Sequence, residues 1–228
     1  MSEVGDARLA AVAKLFADDT RAAFCAALLD GSSRTAGELA RYAGVAASTA
    51  SEHLSQLVAG GMLEATKLGR HRYFRLASDE VAAALEALAV VAPTKRVSSL
   101  RQATVGTALR EGRTCYDHLA GRLGVVLTDA LIARGIVTPD FAPGDLSPLE
   151  RLGIEMPPGS SRPSVRPCLD WTERRHHVAG ALPAAFTRRL FELNWVQRTT
   201  QHRGVRVTEI GHEGLSDLLR AQIPSPQT

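Results

Sequence analysis

The sequence predicts a mainly α chain with small β-wings, in two parts: an N-terminal helix-turn-helix with a wing, and a C-terminal pseudo-two-fold domain. Three observations carry this. The first ninety residues alternate short apolar-periodic stretches with caps and end in a hairpin pattern. A segment near residue 120 repeats near residue 180. Between those repeats lies a stretch rich in Pro, Gly and Ser, read as loop. The expected division is 1–97 and 98–228.

Composition bounds the function. The 228 residues are 45% hydrophobic and 22% charged, ordinary for a globular protein. No apolar run reaches the ~18 residues of a membrane span, and no signal peptide is visible at the start. Three cysteines, Cys25, Cys115 and Cys168, are an odd number in a long chain and argue against a disulfide framework. A cytoplasmic setting is expected. Net charge is +3, a weak pointer to a polyanion. Its distribution says more. Residues 1–92 hold 9 Lys/Arg against 11 Asp/Glu, whereas 93–228 hold 18 against 13. Within the acidic part, Lys67 to Arg75 carries four cations and no carboxylate, the kind of cluster that meets phosphates.

The elements follow in order. Leu9, Val12, Ala13, Leu15 and Phe16 share one helical face. Asp18, Asp19 and Thr20 cap a helix carrying Phe24, Leu28 and Leu29, with Cys25 as a packing residue. Thr35 and Glu38 form a capping box for a short helix ending near Gly44. The next helix runs from Ala47 to Ala59, with Ala50, Leu54, Leu57 and Val58 inward, and Gly60-Gly61 stops it. Two extended runs about Gly69-Arg70-His71 read as a hairpin. Tyr73 and Phe74 seat it. Ser78 and Asp79 cap a helix with Val81, Leu85 and Leu88 at helical spacing, ended by Pro93.

These residues carry a family resemblance. The Asp-x-Thr-Arg helix start, the Gly-Glu-Leu-Ala turn, Ser-Thr-x-Ser-x-His-Leu-x-x-Leu, the Gly-Gly-Met-Leu exit and the Gly-Arg-x-x-Tyr wing agree in order and spacing over residues 10–92. The segment resembles the winged helix-turn-helix of the ArsR family of bacterial transcriptional regulators. The resemblance implies a homodimeric repressor on double-stranded DNA with an inverted-repeat operator, released by an effector. It places Ser48, Thr49, Ser51 and His53 toward the groove. Glu52 and Gln56 join them as candidate base readers. Lys67, Arg70, His71 and Arg72 at the wing are candidate phosphate contacts.

Many such regulators hold metal through thiols in the helix before the recognition helix, or through a carboxylate and histidines on the last helix. Here 35–43 has no Cys or His, and 79–91 has no His. Both family metal sites are absent, so sensing is expected elsewhere.

Typical members end near residue 92, but this chain continues. Thr94 to Ser99 reads as a linker, followed by a helix with Leu100, Ala103 and Leu109. Residues 117–137 align without gaps with 176–196, pairing His118 with His177 and Gly121 with Gly180. Each repeat reads as a small-residue helix, a tight turn and an amphipathic helix, and Gly121 and Gly180 suggest close helix contact. Val205 to Thr208 reads as a strand leading into a final helix, in a winged-helix-like arrangement.

Cys115, His118, Cys168 and His177 (or His176) are a candidate tetrahedral thiolate–imidazole site for zinc or another transition metal. Cys115 and Cys168 do not match in the ungapped repeat, so other readings stay open. One is a redox pair. Another is core cysteines with histidines bonded to Asp117 and Asp170. A small organic effector among Tyr116, Trp171, Phe186, Phe191 and Trp195 is a further reading. An enzyme with a cysteine nucleophile and histidine base is the rival class, but no nucleophile elbow, phosphate loop or paired-carboxylate motif supports it. A regulator with no effector is the third.

Overall fold

The computed structural model describes residues 8–93, 100–155, 162–199, 203–221 and 223. It forms two compact units, Met1–Leu85 and Glu86–Thr228. The division falls earlier than the expected 97/98 boundary. Glu86 is 3% exposed and pairs with Arg203 at 2.5 Å, so it belongs with the second unit. The expected linker at 94–99 lies outside the described residues.

The first unit runs α1 (Leu9–Phe16), α2 (Asp19–Leu28), β1 (Arg34–Thr35), α3 (Ala36–Ala43), α4 (Ala47–Ala59), β2 (Leu63–Leu68), β3 (His71–Leu76), then into α5 (Asp79–Val91). Local chemistry sets the boundaries. Asp18 accepts from the Arg21 backbone N–H and starts α2. Thr35 and Glu38 close a reciprocal capping box at the start of α3, and Gly44 ends that helix at φ +69°, the left-handed conformation glycine reaches without strain. The hairpin β2–β3 pairs Leu63 with Leu76 and Leu68 with His71, leaving Gly69-Arg70 as its two-residue turn. β1 adds a third strand by pairing with Phe74 and Tyr73; two residues are too few to register as a strand pattern. Phe24, Leu28, Leu39, Leu54, Leu57 and Leu76 fill the core. Cys25 is fully buried there, and burial pushes its thiol up to about 12.

The second unit contains α6 (Leu100–Glu111), β4 (Arg113–Cys115), β5 (His118–Ala120), α7 (Gly121–Ala133), α8 (Ser147–Glu150), β6 (Arg166–Leu169), β7 (His176–Ala179), α9 (Ala181–Glu192), β8 (Val196–Arg198), β9 (Val205–Val207) and α10 (Glu209–Leu219). The central stretch read as loop thus contains the short α8, started by Pro148 in its first turn. β4–β5, β6–β7 and β8–β9 are antiparallel hairpins. One continuous core joins the repeats, with Leu119, Leu127, Leu131, Val178, Phe186 and Leu190 among its members. Of the candidate effector aromatics, Phe186 is inside this core and Phe191 and Trp195 pack on it.

The repeat differs from its expected form. The stretch before each long helix is a strand, so each repeat is a strand running directly into a helix. Gly121, which opens α7, does lie against a helix, the last turn of α6, whereas Gly180 lies against the backbone of Pro163 and Ser164. Both glycines sit at the strand-to-helix junctions with φ of +73° and +113°. A Cβ on Gly121 would lie 2.5 Å from the Arg110 carbonyl oxygen, and one on Gly180 would lie 2.6 Å from that of Pro163. Cys115 and His118 are cross-strand partners on β4 and β5.

Candidate functional site

In the first unit, α4 divides cleanly. Ala50, Leu54 and Leu57 are buried, and Ser48, Ser51, Glu52 and Ser55 are exposed, with Thr49 half-buried. An amphipathic helix held this way presents one polar row of hydroxyls and a carboxylate. Ser55 belongs to that row and was missed by the sequence reading. It lies four residues beyond Ser51, and its hydroxyl donates to the Ser51 carbonyl at 2.8 Å.

His53 and Gln56 are also engaged from within the unit. The Arg21 guanidinium donates to Gln56 Oε1 at 2.8 Å and lies 3.3 Å from His53 Nδ1. It also donates to the Lys14 and Leu15 carbonyls at the end of α1. One side chain from α2 thus ties α1 to α4, and His53, with its side chain 17% exposed, is turned into that tie. The wing keeps its cations outward: Lys67, Arg70, His71 and Arg72 are all exposed. Arg75 pairs across the hairpin with Glu64 at 2.7 Å, and Arg72 lies over the Phe74 ring at 5.4 Å. Tyr73 is half-buried and Phe74 buried, so both help seat the hairpin.

The second unit gathers a different set. Each of two hairpins carries a cysteine directly opposite a histidine: Cys115 faces His118, and Cys168 faces His177. The two pairs meet. Cys115 Sγ and Cys168 Sγ are 3.9 Å apart, and His118 Nε2 and His177 Nε2 are 3.1 Å apart. One ligand atom from each of the four lies within 4.8 Å of every other. His176, the alternative fourth member, is exposed and packs edge-on against Phe141 instead.

Carboxylates stand behind both rings. Asp117 Oδ1 is 3.3 Å from His118 Nδ1, and Asp117 is itself held by Arg162. Asp170 Oδ2 is 3.5 Å from His177 Nδ1. Asp170 and Arg113 are both fully buried and paired at 3.0 Å, and Arg113 stacks over Trp171 at 5.0 Å. Asp170 also accepts from the backbone N–H of Gly121 at 2.7 Å, of Thr172 at 2.8 Å and of Glu173 at 3.1 Å. Burial alone would raise its carboxyl, but the Arg113 charge and these donors hold it well below the usual carboxylate range.

The thiols split. The two sulfurs meet where either could donate; that contact pushes Cys168 well down and, together with burial, pushes Cys115 up. Burial lowers His177. His118 is raised, because Asp117 and the Cys168 sulfur more than offset its burial. Cys115 is 2% exposed, whereas Cys168 is only half-buried and gives the cluster its opening.

Against known proteins, the helix-turn-helix domain family matches residues 16–65. A helix-turn-helix transcriptional regulator of Bacillus subtilis, YdfF, is 37% identical over 222 residues, spanning 94% of this chain and 98% of its own. The chain belongs to the family of helix-turn-helix transcriptional regulators. Among solved structures, the homodimeric winged helix-turn-helix domain of Mb0332 from Mycobacterium bovis is similar at 29% identity and a TM-score of 0.35, covering 40% of this chain and 89% of its own. The cadmium sensor CMTR of Mycobacterium tuberculosis is similar at 36% identity and a TM-score of 0.33, covering 40% and 93%. No helix among the described residues is long and apolar enough to cross a membrane.

Proposed function

We propose that this regulator is a dimeric repressor that grips an inverted-repeat operator with α4 and the β2–β3 wing and releases it when an effector is sensed in the second unit. The observation that carries the DNA contact is the pairing of an exposed polar row on α4 with exposed cations on the wing. Ser48, Thr49, Ser51 and Glu52 reach base edges in the major groove. Lys67, Arg70, His71 and Arg72 hold phosphates. His53 and Gln56, held by Arg21, help set the angle of α4.

Apolar side chains without cover support the dimer. Leu9 is 76% exposed on α1, and Leu88 and Val91 are 48% and 79% exposed on α5. Leu88, at helical spacing with Val81 and Leu85, is placed to meet a second copy. Sensing is assigned to the second unit because the close-set thiols and imidazoles lie there. An effector acts by binding the geometry that cannot hold DNA more tightly than the one that can.

Binding to fluorescent duplexes tests this. Nanomolar affinity for an inverted repeat is expected at ~150 mM salt, well above that for random duplex. Arg70→Ala and Arg72→Ala should each weaken binding evenly across sequences and lower the salt slope by ~1, while Ser51→Ala should relax preference at one position. Equal affinity for random duplex would overturn the reading.

A further inference from the structure

The hairpin cluster of the second unit has a geometry that core packing does not require. Carboxylates stand at the Nδ1 side of both rings, Asp117 at 3.3 Å and Asp170 at 3.5 Å. At His118 the carboxylate keeps the ring proton on Nδ1 and leaves Nε2 as a lone pair, while His177 Nδ1 is buried without a hydrogen-bond partner. The two Nε2 atoms face each other across 3.1 Å, and two ring nitrogens that close need a proton or a metal ion between them. Beside them the two sulfurs face each other at 3.9 Å, nearly twice the ~2.05 Å of a disulfide bond.

The spacings match a definite ion. Tetrahedral zinc, with Zn–S ≈ 2.3 Å and Zn–N ≈ 2.0–2.1 Å, sets its sulfurs about 3.8 Å apart and its nitrogens about 3.3 Å apart. The observed pairs are 3.9 and 3.1 Å, and every pair of the four donors is inside 4.8 Å. A tetrahedral set of two sulfurs and two nitrogens is that of zinc.

We infer that Cys115, His118, Cys168 and His177 form a zinc site that clamps the two halves of the second unit together. Each half contributes one cysteine–histidine pair from one hairpin. Binding forms two Zn–S and two Zn–N bonds. Whatever protons the two sulfurs and the two Nε2 atoms carry leave to solvent, and the water ligands of the incoming zinc leave with them. The product, Zn2+ with two thiolates and two neutral imidazoles, carries no net charge, which suits a buried position. Four protein ligands leave no open coordination position, so the site holds structure rather than activating water. Asp117 and Asp170 are positioning residues. The inference extends the assignment of sensing to the second unit by naming an ion, but it does not depend on DNA release.

The test reads metal alone, on the full chain. Protein stripped with chelator under reductant is given one equivalent of zinc chloride against a chromophoric chelator. The wild type is expected to withhold one zinc per chain, and Cys25→Ala to do the same. Cys115→Ser with Cys168→Ser should withhold none. Asp117→Asn should keep the stoichiometry and weaken affinity ~10–100-fold. Cobalt chloride added to the wild type needs no variant. It should give the intense visible bands of a tetrahedral centre with sulfur-to-cobalt charge transfer. A folded, reduced wild type that withholds no zinc, an octahedral cobalt spectrum without charge transfer, or full retention by the double variant would each overturn the site. Loss of DNA binding with zinc occupancy intact would overturn only the repressor reading.

Discussion

At the scale of single residues, buried carboxylates hold loops in both units. Asp30 is 5% exposed, accepts from the Ser32 backbone N–H and pairs with Arg34 at 2.6 Å. Burial would raise its carboxyl, but Ser32 and Arg34 more than compensate and hold it below the ordinary value. A carboxyl depressed on folding stabilises at pH above its unfolded value of ~3.9, and the contribution fades as pH falls through the folded value. Asp30→Asn should therefore cost about 1–3 kcal/mol near neutral pH. Urea denaturation should show the gap to wild type shrinking below pH ~4; a gap constant down to strong acid would refute the charge as its source. Asp170 is the counterpart in the second unit. Removing one partner of its buried pair strands the Arg113 charge, so Asp170→Ala should lose about 3–5 kcal/mol in the same assay.

At the scale of elements, the strand-to-helix junctions test the fold. Gly180, at φ +113° with ψ −171°, occupies a region essentially closed to side chains, and its Cβ would also meet two backbone carbonyls. Gly180→Ala should cost about 2 kcal/mol or more, and Gly121→Ala a similar amount. Thermal unfolding of the purified variants checks this; Gly135→Ala, at φ +66° but with open space around its Cβ, should cost less.

These junctions also show what could be read in advance. The helices of the first unit were legible because caps and periodicity agree: Thr35 with Glu38 marks the start of α3, and α4 runs over the residues its pattern gives. In the second unit β9 was legible from the alternation over Val205 to Thr208, but the hairpins β4–β5 and β6–β7 were not. Their strands of three or four residues carry too few alternations to declare themselves. The ungapped alignment equated His118 with His177 but could not equate the cysteines. The reason is a loop. The stretch from cysteine to histidine is six residues longer in the second hairpin than in the first, so the histidines are 59 apart and the cysteines 53. Cross-strand register restores the match. On α4, burial of His53 was invisible because its partner, Arg21, lies 32 residues away.

At the scale of the whole molecule, two units predict two kinds of behaviour. The exposed apolar side chains of α1 and α5 should be covered in a homodimer. Leu88→Lys with Val91→Lys should shift the mass measured by light scattering from dimer to monomer at micromolar concentration, while circular dichroism stays near wild type. A dimer that survives both charges would place the interface elsewhere.

The joining of two half-clusters on one chain has a kinetic meaning. Were the hairpins on separate molecules, bringing their cysteines and histidines together would be a bimolecular event, lost on dilution. Held by the same polypeptide, they meet at a fixed effective concentration. The four side chains therefore stay assembled at protein levels so low that subunits separate. A cell holding a few copies of this regulator would keep the cluster whole in every one, whatever fraction was paired on DNA.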